Sequence, residues 1–246
     1  MVGKLSLVAF LCHVFIVLES GPFVSAFPHA HENKSCQTST TRPLAARQVN
    51  EILYRRNIFN KDELEIIRKD ITTNLRRLKP ETSSSVAHGR RGLVLPSNSH
   101  TVQVFEKGSL LDWVVQVTGN RCFQLKHQRV PVELRSYDQS GAGMAWHSDD
   151  VLFAPEPQLE IVFTLENTSD CQTLYKSPNG RIESVQTEVN SVLLVPAGGP
   201  EHCVTSLQRG RRIIVKAVYA LEDCRYLEEA RVQQFKATKA KKGRRR

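Results

Sequence analysis

The spacing of apolar residues changes partway along this chain. Up to about residue 120 they recur mostly at three- and four-residue steps, and from Phe123 onward they recur at every second position. In the first stretch Leu44, Ala45, Val49, Ile52 and Leu53 predict a helix. Asn60 is placed to cap a second one, and Glu63, three positions on, completes a capping-box pattern. Leu64, Ile66, Ile67, Ile71 and Leu75 give that helix an apolar stripe, and Lys79-Pro80 ends it. Val102 to Phe105 reads as a strand, and Leu110 to Val117, with Trp113, as a short helix. Thr82 to Arg91 is a loop rich in Ser, Gly and Arg, with unspecific potential for binding a ligand.

The downstream half reads as strands. Val132 to Tyr137, Ser191 to Val195 and Ile213 to Tyr219 are strand-like runs. In Leu159 to Leu165 the apolar residues Leu159, Ile161, Phe163 and Leu165 alternate with Glu160, Val162 and Thr164, as expected of a half-buried strand. Ser177-Pro178-Asn179-Gly180 is a turn, and Asn179-Gly180 favours a hairpin. Short strands divided by such turns predict a mainly β protein, a sandwich or jelly roll, preceded by N-terminal helices. The division expected is a helical support region over 43–120, a β core over 121–225, and a helix end with a basic tail over 226–246.

Charge adds less than its total suggests. The net charge is +9 over 246 residues, but seven basic residues and no acidic ones lie between Lys236 and Arg246. Subtracting those seven from nine leaves a body at +2, so the charge belongs to a tail, expected to be a solvated end. Contact with nucleic acid or an anionic surface through that tail is the alternative. The six cysteines, Cys12, Cys36, Cys122, Cys171, Cys203 and Cys224, form no C-x-x-C pair. Their scatter argues against a structural zinc site and a disulfide scaffold.

The N-terminus reads as an address. Lys4 precedes an apolar run over residues 5–18, and Val24-Ser25-Ala26 follows as a small-residue cleavage site, so residues 1–26 form a signal peptide. The run is short for a membrane span, and no other stretch matches it, so no transmembrane span is expected in the mature protein. Residues 27–42 begin Phe27-Pro28 and are rich in Ser, Thr and basic residues. A signal peptide followed by Phe and a transit-like segment resembles the bipartite plastid leaders of algae with secondary plastids. The alternative destination is the secreted or endomembrane lumen.

The chemistry is carried by a split set of residues: His147-Ser148-Asp149, then His202, then Arg212. In an extended segment residues two apart point the same way, so His147 and Asp149 can reach one ion, whereas Asp150 would point away. Two imidazoles and one carboxylate can hold one face of an iron(II) ion and leave the other face open. His147 and Asp149 follow one strand-like run, His202 follows another, and Arg212 opens a third.

This order resembles the Fe(II)- and 2-oxoglutarate-dependent dioxygenases, whose pattern is His-x-Asp, a distal His, and a basic residue about ten positions later. Tyr137-x3-Gly141-x5-His147-x-Asp149 and His202-Cys203-Val204-Thr205 through Arg209-Gly210-Arg211-Arg212 are similar to the two halves of the site in the prolyl 4-hydroxylase-like branch. The resemblance implies a double-stranded β-helix core with helical supports over roughly Val130 to Leu221. It implies Fe(II) held by His147, Asp149 and His202, with 2-oxoglutarate and O2 as co-substrates and ascorbate as reductant. Arg212 would pair with the far carboxylate of 2-oxoglutarate, Lys216 would be a reserve anchor on the same face, and Tyr137 would hydrogen-bond the co-substrate. Arg209 and Arg211 are expected in a solvated turn, and Cys203 as a buried, inert thiol.

The implied reaction is hydroxylation of a C–H bond, with a protein side chain such as proline as one substrate class and a small molecule as another. Trp146 to Asp150 is also similar to the metal segment of AlkB-type nucleic-acid demethylases, but the second Arg of that pattern is Val218 here. A non-catalytic jelly-roll metal-binding module and a nucleic-acid-binding protein acting through its tail are the readings from other classes.

Overall fold

The structure is a computed structural model that describes residues 49–82 and 84–227. The signal-peptide and transit-like segments, the start of the first expected helix and the basic tail lie outside the described residues.

The chain begins with β1 (Leu53–Arg56) and α1 (Lys61–Asn74), then β2 (Lys79–Pro80), β3 (Ala87–His88) and β4 (Arg90–Val94). Two helices follow, α2 (His100–Lys107) and α3 (Ser109–Thr118). The remaining elements are strands: β5 (Phe123–Leu125), β6 (Glu133–Tyr137), β7 (Gly143–His147), β8 (Phe153–Ala154), β9 (Leu159–Asn167) and β10 (Thr173–Lys176). They continue through β11 (Ile182–Val185), β12 (Ser191–Pro196), β13 (His202–Val204), β14 (Arg212–Leu221) and β15 (Arg225–Tyr226).

A major antiparallel sheet runs β1-β12-β9-β14-β6-β4-β2, with β5 also on β14, and a minor one runs β11-β10-β13-β7-β3. They face each other as a jelly-roll sandwich, and the expected mainly β architecture is what is observed, with helices set among and after the first strands. No helix among the described residues is long and apolar enough to cross a membrane.

The helices cover the outer face of the major sheet. Phe59, ahead of α1, stacks on Phe105 of α2 with ring centroids 5.5 Å apart, and both meet Phe163 of β9 edge-on. Ile67, Ile71, Val102, Leu110 and Val114 join Ile161, Val192, Val215 and Tyr219 in one buried cluster. Tyr219 Oη donates to the Phe105 carbonyl at 2.6 Å, so the central strand is bonded to a helix as well as packed on it. The capping box at Asn60 and Glu63 is present, and Glu63 also accepts from the Ser109 backbone and hydroxyl, joining the start of α1 to that of α3.

Local preference was overridden in several places. The helix expected over Leu44 to Leu53 is not continued in the described residues: Leu53–Arg56 is an edge strand paired with β12. Region 43–120 therefore mixes strands with helices. Helix α1 ends at Asn74 and a 3-10 turn over Leu75–Arg77 carries the helical run to just before Lys79-Pro80, which form β2. Val102 to Phe105 lies in a helix despite its valines. Ser99 caps it through Val102 N, Asp70 accepts from the Thr101 backbone and hydroxyl, and Val102 and Phe105, three apart, share the buried side. Arg225–Tyr226 is a strand paired with β8, where a helix end was expected. Cys122 is disulfide-bonded, a pairing that the cysteine scatter did not suggest.

Strand β9 differs most instructively. Its alternation predicted one wet face, yet Leu159–Leu165 is buried almost throughout, with Glu160 and Thr164 facing the interior of the sandwich. Helices cover one face of the major sheet and the minor sheet covers the other.

Asn190 joins the sandwich to the helical layer. Its backbone is left-handed at φ 60°. Its side chain accepts from Phe59 N at 3.1 Å and donates to Phe59 O at 2.8 Å. Asn190→Ala should destabilise the fold by about 3 kcal/mol in urea unfolding, since two buried backbone groups lose partners at about 1–3 kcal/mol each. Asn190→Asp, which keeps the acceptor, should fall between that variant and the parent. A loss for the alanine variant smaller than about 0.5 kcal/mol, the range of an ordinary surface change, would mean the link is dispensable.

Candidate metal centre and anion pocket

His147 ends β7 and His202 opens β13, and the two are direct cross-strand partners. A register shift beyond this pair, before Val204 meets Met144, marks a bulge of the kind that re-aims side chains. The imidazole centroids lie 4.3 Å apart. Asp149 follows in the loop after β7, and ligand atoms from all three residues lie within 4.8 Å of one another. Asp149, not Asp150, joins the histidines; the Asp150 carbonyl accepts from Gln158.

The loop before β13 holds Asp149 in place. Gly198 N donates to the Asp149 carbonyl at 2.8 Å, and Ser148 Oγ donates to the Gly199 carbonyl at 3.0 Å. Gly198 has φ +67°, and a Cβ there would lie 2.8 Å from Val151, so this close approach requires glycine.

Both histidines are oriented by backbone carbonyls. His147 Nδ1 lies 2.9 Å from Ala145 O, and His202 Nδ1 lies 3.1 Å from Pro200 O. A carbonyl only accepts, so each contact puts the proton on Nδ1 and leaves Nε2 as a free lone pair. His147 Nε2 is buried without a hydrogen-bond partner, and His202 Nε2 lies 3.6 Å from Asp149 Oδ2. Burial holds the His202 imidazole below its ordinary pKa, against the pull of Asp149, which favours the neutral form that a metal needs. An orphaned ring nitrogen beside a second one and a carboxylate fits a divalent metal such as Fe(II).

Asp149 has another partner. Lys216 Nζ donates to its Oδ1 at 3.0 Å and lies 3.2 Å from Glu160 Oε2. Burial works to raise the Asp149 pKa, but the charge and hydrogen bond of Lys216 lead the opposing causes and hold the carboxyl below its ordinary value. Burial pushes the Glu160 carboxyl up, against the pull of Lys216. Lys216 is therefore engaged with Asp149 and Glu160 and does not stand free as a reserve anchor.

Arg212 is at the other end of the same strand face. Gly210 makes the turn that delivers it, at φ +77°, where a Cβ would meet the Thr168 carbonyl at 2.1 Å. Arg211 turns outward to pair with Glu166, and Arg209 is exposed, as expected of a solvated turn. Arg212 itself is fully buried. One terminal nitrogen donates to Thr173 Oγ1 at 3.2 Å, the guanidinium stands 5.9 Å from the Tyr137 ring centre, and Nε has no partner. Among the described residues no carboxylate pairs with it. Burial lowers its pKa, yet a guanidinium stays charged, so the pocket holds a cation that lacks a counter-ion among the described residues.

Arg212, Tyr137, Thr173, Asp149, His202 and Lys216 line one pocket, whose walls include Val162, Leu193, Val195, Val204 and Ile214. The sequence reading did not single out Arg90, which also lines it. Arg90 makes two bonds to Glu81, at 2.6 and 2.7 Å, and donates to Tyr137 Oη at 3.1 Å, fixing that phenol beside Arg212. Its position in a Ser-, Gly- and Arg-rich loop gave no signal beyond charge. Cys203 is buried, and burial pushes its thiol pKa up, in keeping with an inert residue.

No protein-family model and no curated protein matches the sequence. Solved structures do match. A prolyl-4-hydroxylase from Pseudomonas putida aligns at TM-score 0.53 and 12% identity, over 69% of this chain and 92% of that one. A prolyl hydroxylase from Trichoplax adhaerens, in complex with a hypoxia-inducible-factor oxygen-degradation-domain peptide, aligns at 0.55 and 12%, over 70% and 84%. The α-ketoglutarate-dependent epimerase SnoN of nogalamycin biosynthesis aligns at 0.59 and 11%, over 71% and 78%.

The Glu81–Arg90 pair makes a pH prediction. Burial opposes ionisation of Glu81, but the Arg90 hydrogen bond and neighbouring cations win and hold its pKa below the ordinary 4.5. A depressed carboxyl contributes stability that is present above its unfolded pKa and is lost as pH falls through the lower folded value. The stability gap between the parent and Glu81→Gln should therefore be constant near neutrality and shrink as pH falls below about 4.5. Thermal melts across that range check it, and a gap independent of pH would show the pair to be electrostatically idle.

The likeness drawn from the metal-site motif thus holds at the level of fold: this chain has the double-stranded β-helix architecture of the Fe(II)- and 2-oxoglutarate-dependent oxygenases.

Proposed function

We propose that this chain is an Fe(II)- and 2-oxoglutarate-dependent oxygenase that hydroxylates a C–H bond. The observation that carries the reading is Arg212, a buried guanidinium with no carboxylate partner among the described residues, in one pocket with two ligands of a His/Asp/His cluster. A buried, uncompensated charge is expensive, and a dicarboxylate reaching from the cluster to Arg212 would neutralise it.

In this reading His147 and His202 offer Nε2 and Asp149 offers Oδ2 to the metal. Arg212 and Thr173 receive the far carboxylate of 2-oxoglutarate, and Tyr137 Oη, held by Arg90, donates along its flank. The apolar wall of Val162, Leu193, Val195, Val204 and Ile214 keeps water out and strengthens these polar contacts. Bound iron(II) supplies the oxidising chemistry, in which 2-oxoglutarate, O2 and a substrate C–H become succinate, carbon dioxide and C–OH. Val218, at the position of the second arginine in the nucleic-acid demethylases, packs with Phe153 in an apolar cluster, which favours the hydroxylase reading.

Among the solved structures one is bound to a peptide and another, HygX from Streptomyces hygroscopicus, to hygromycin B. Prolyl-containing peptides are the first substrate class to try, and small molecules the second.

Anaerobic protein loaded with Fe(II) and given O2 should form succinate from 2-oxoglutarate, and His147→Ala should not. Arg212→Ala should raise the KM for 2-oxoglutarate roughly 10- to 100-fold, the equivalent of about 1.5–3 kcal/mol for charged hydrogen bonds. Its turnover should recover at high co-substrate. Absence of both succinate and 2-oxoglutarate binding in the iron-loaded parent would overturn the assignment and leave a metal-binding jelly roll.

A further inference from the structure

Of the three residues in the cluster, only Asp149 lies outside a strand. His147 and His202 sit on paired strands with their rings tied to carbonyls, whereas Asp149 lies beyond the end of β7. Its main chain is tied at the carbonyl by Gly198, which leaves the carboxylate to be aimed by something else. Lys216 does this from β14, the strand paired with β9, β6 and β5. Its ammonium takes Oδ1 at 3.0 Å, and the other oxygen, Oδ2, is the one 3.6 Å from His202 Nε2.

Lys216 is itself held. Glu160 Oε2 lies 3.2 Å from its Nζ, and Glu160 Oε1 accepts from Gln158 Nε2 at 3.0 Å. The same Gln158 nitrogen donates to the Asp150 carbonyl at 2.8 Å, and its oxygen accepts from Leu152 N at 2.9 Å. The chain of contacts leaves the Asp149 carboxylate through Lys216, Glu160 and Gln158 and returns to the loop that carries Asp149. The Glu160 side chain is 4% exposed, so this circuit is an interior feature and not a surface ion pair.

We infer that Lys216, backed by Glu160, is a positioning residue: it reserves one oxygen of Asp149 for itself and presents the other alone to the metal. The inference rests on the metal-centre reading above. One-oxygen coordination keeps the aspartate from occupying a second metal position and leaves that position for co-substrate and oxygen. An ammonium beside a dication would by itself weaken metal binding, and Glu160 supplies the charge that cancels it. The two roles make opposite predictions. If Lys216 only repelled the metal, its removal would tighten binding; if it aims Asp149, removal loosens binding.

The test is titration of the full chain with Mn(II), followed by calorimetry and by the electron paramagnetic resonance spectrum of the bound ion. Lys216→Met should weaken Mn(II) binding about 10- to 100-fold, the usual effect of losing a group that orients a metal ligand. Its bound-ion spectrum should change as the aspartate becomes free to chelate. Lys216→Arg, which keeps charge and donors, should restore binding to within a few-fold of the parent and restore the parent spectrum.

The methionine variant leaves Glu160 buried and unpaired, so its folding is at risk. Lys216→Met with Glu160→Gln removes both charges, and it should fold and show the same weakening. A parent that binds no Mn(II) fails the metal-centre reading and the inference with it. A parent that binds, beside single and double variants that bind as well or more tightly with an unchanged spectrum, overturns the positioning role alone.

Discussion

Arg212 and Lys216 project from the same face of one strand into an interior sealed by two sheets, and their charges are balanced differently. Lys216 has two carboxylates within 3.2 Å, whereas Arg212 has a hydroxyl, an aromatic ring and an unpartnered nitrogen. Burial in a low-dielectric interior makes that difference matter, because a cation that would be indifferent to its neighbours in water needs a partner here. The pocket is consequently polarised along β14. One end is charge-compensated and rigid, suited to holding a metal ligand, and the other is short of an anion. A ligand with a carboxylate at its far end meets both conditions, which is why the arrangement points to chemistry as well as to stability.

The platform for this polarity is the packing behind the sheet. Phe59, Phe105 and Phe163 lock the helices to β9, and Tyr219 hydrogen-bonds from β14 to α2. Residues on the outer face of these strands are thereby immobilised, and the backbone that carries Glu160, Arg212 and Lys216 on the inner face is immobilised with them. Close-packed interiors deform little, so distances of 3 Å between charged groups can be maintained without each pair contributing much net stability. The helical layer thus acts on the site through the sheet, although none of its residues lines the pocket around Arg212.

What was legible in the sequence follows from the same geometry. His147, Asp149, His202 and Arg212 could be read because their order and spacing along strand-like runs survive without knowledge of pairing. Glu160 could not, because a polar residue at every second position of a strand looks the same whether it faces water or a sealed pocket. The alternation along β9 fits a half-wet strand for that reason, although the strand is buried. Arg90 was hidden because its role depends on Tyr137, which pairs with it across β4 and β6 from 47 residues away. Val102 and Phe105 misled in the opposite sense: β-branched neighbours suggested a strand, and the Ser99 cap with Asp70 made a helix. Leu53–Arg56 is a strand because β12 offers it an edge, a tertiary fact that no local period contains.

The histidines and the aspartate also differ in how their geometry is secured, and that difference explains why a lysine is needed here at all. An imbalance between ligands is to be expected when two come from paired strands and one from a loop. Ala145 O and Pro200 O set the ring tautomers with backbone atoms that no side-chain substitution removes, so the two nitrogens are ready before any metal arrives. A carboxylate on a loop has no such provision, and two equivalent oxygens give it two ways to bind. An ammonium on β14, a strand paired on both sides, would remove one of them. The cost is a buried positive charge next to the metal position, and Glu160, on the neighbouring central strand, meets it. In this reading three side chains, Lys216, Glu160 and Gln158, do for a loop carboxylate what strand pairing does for the two imidazoles.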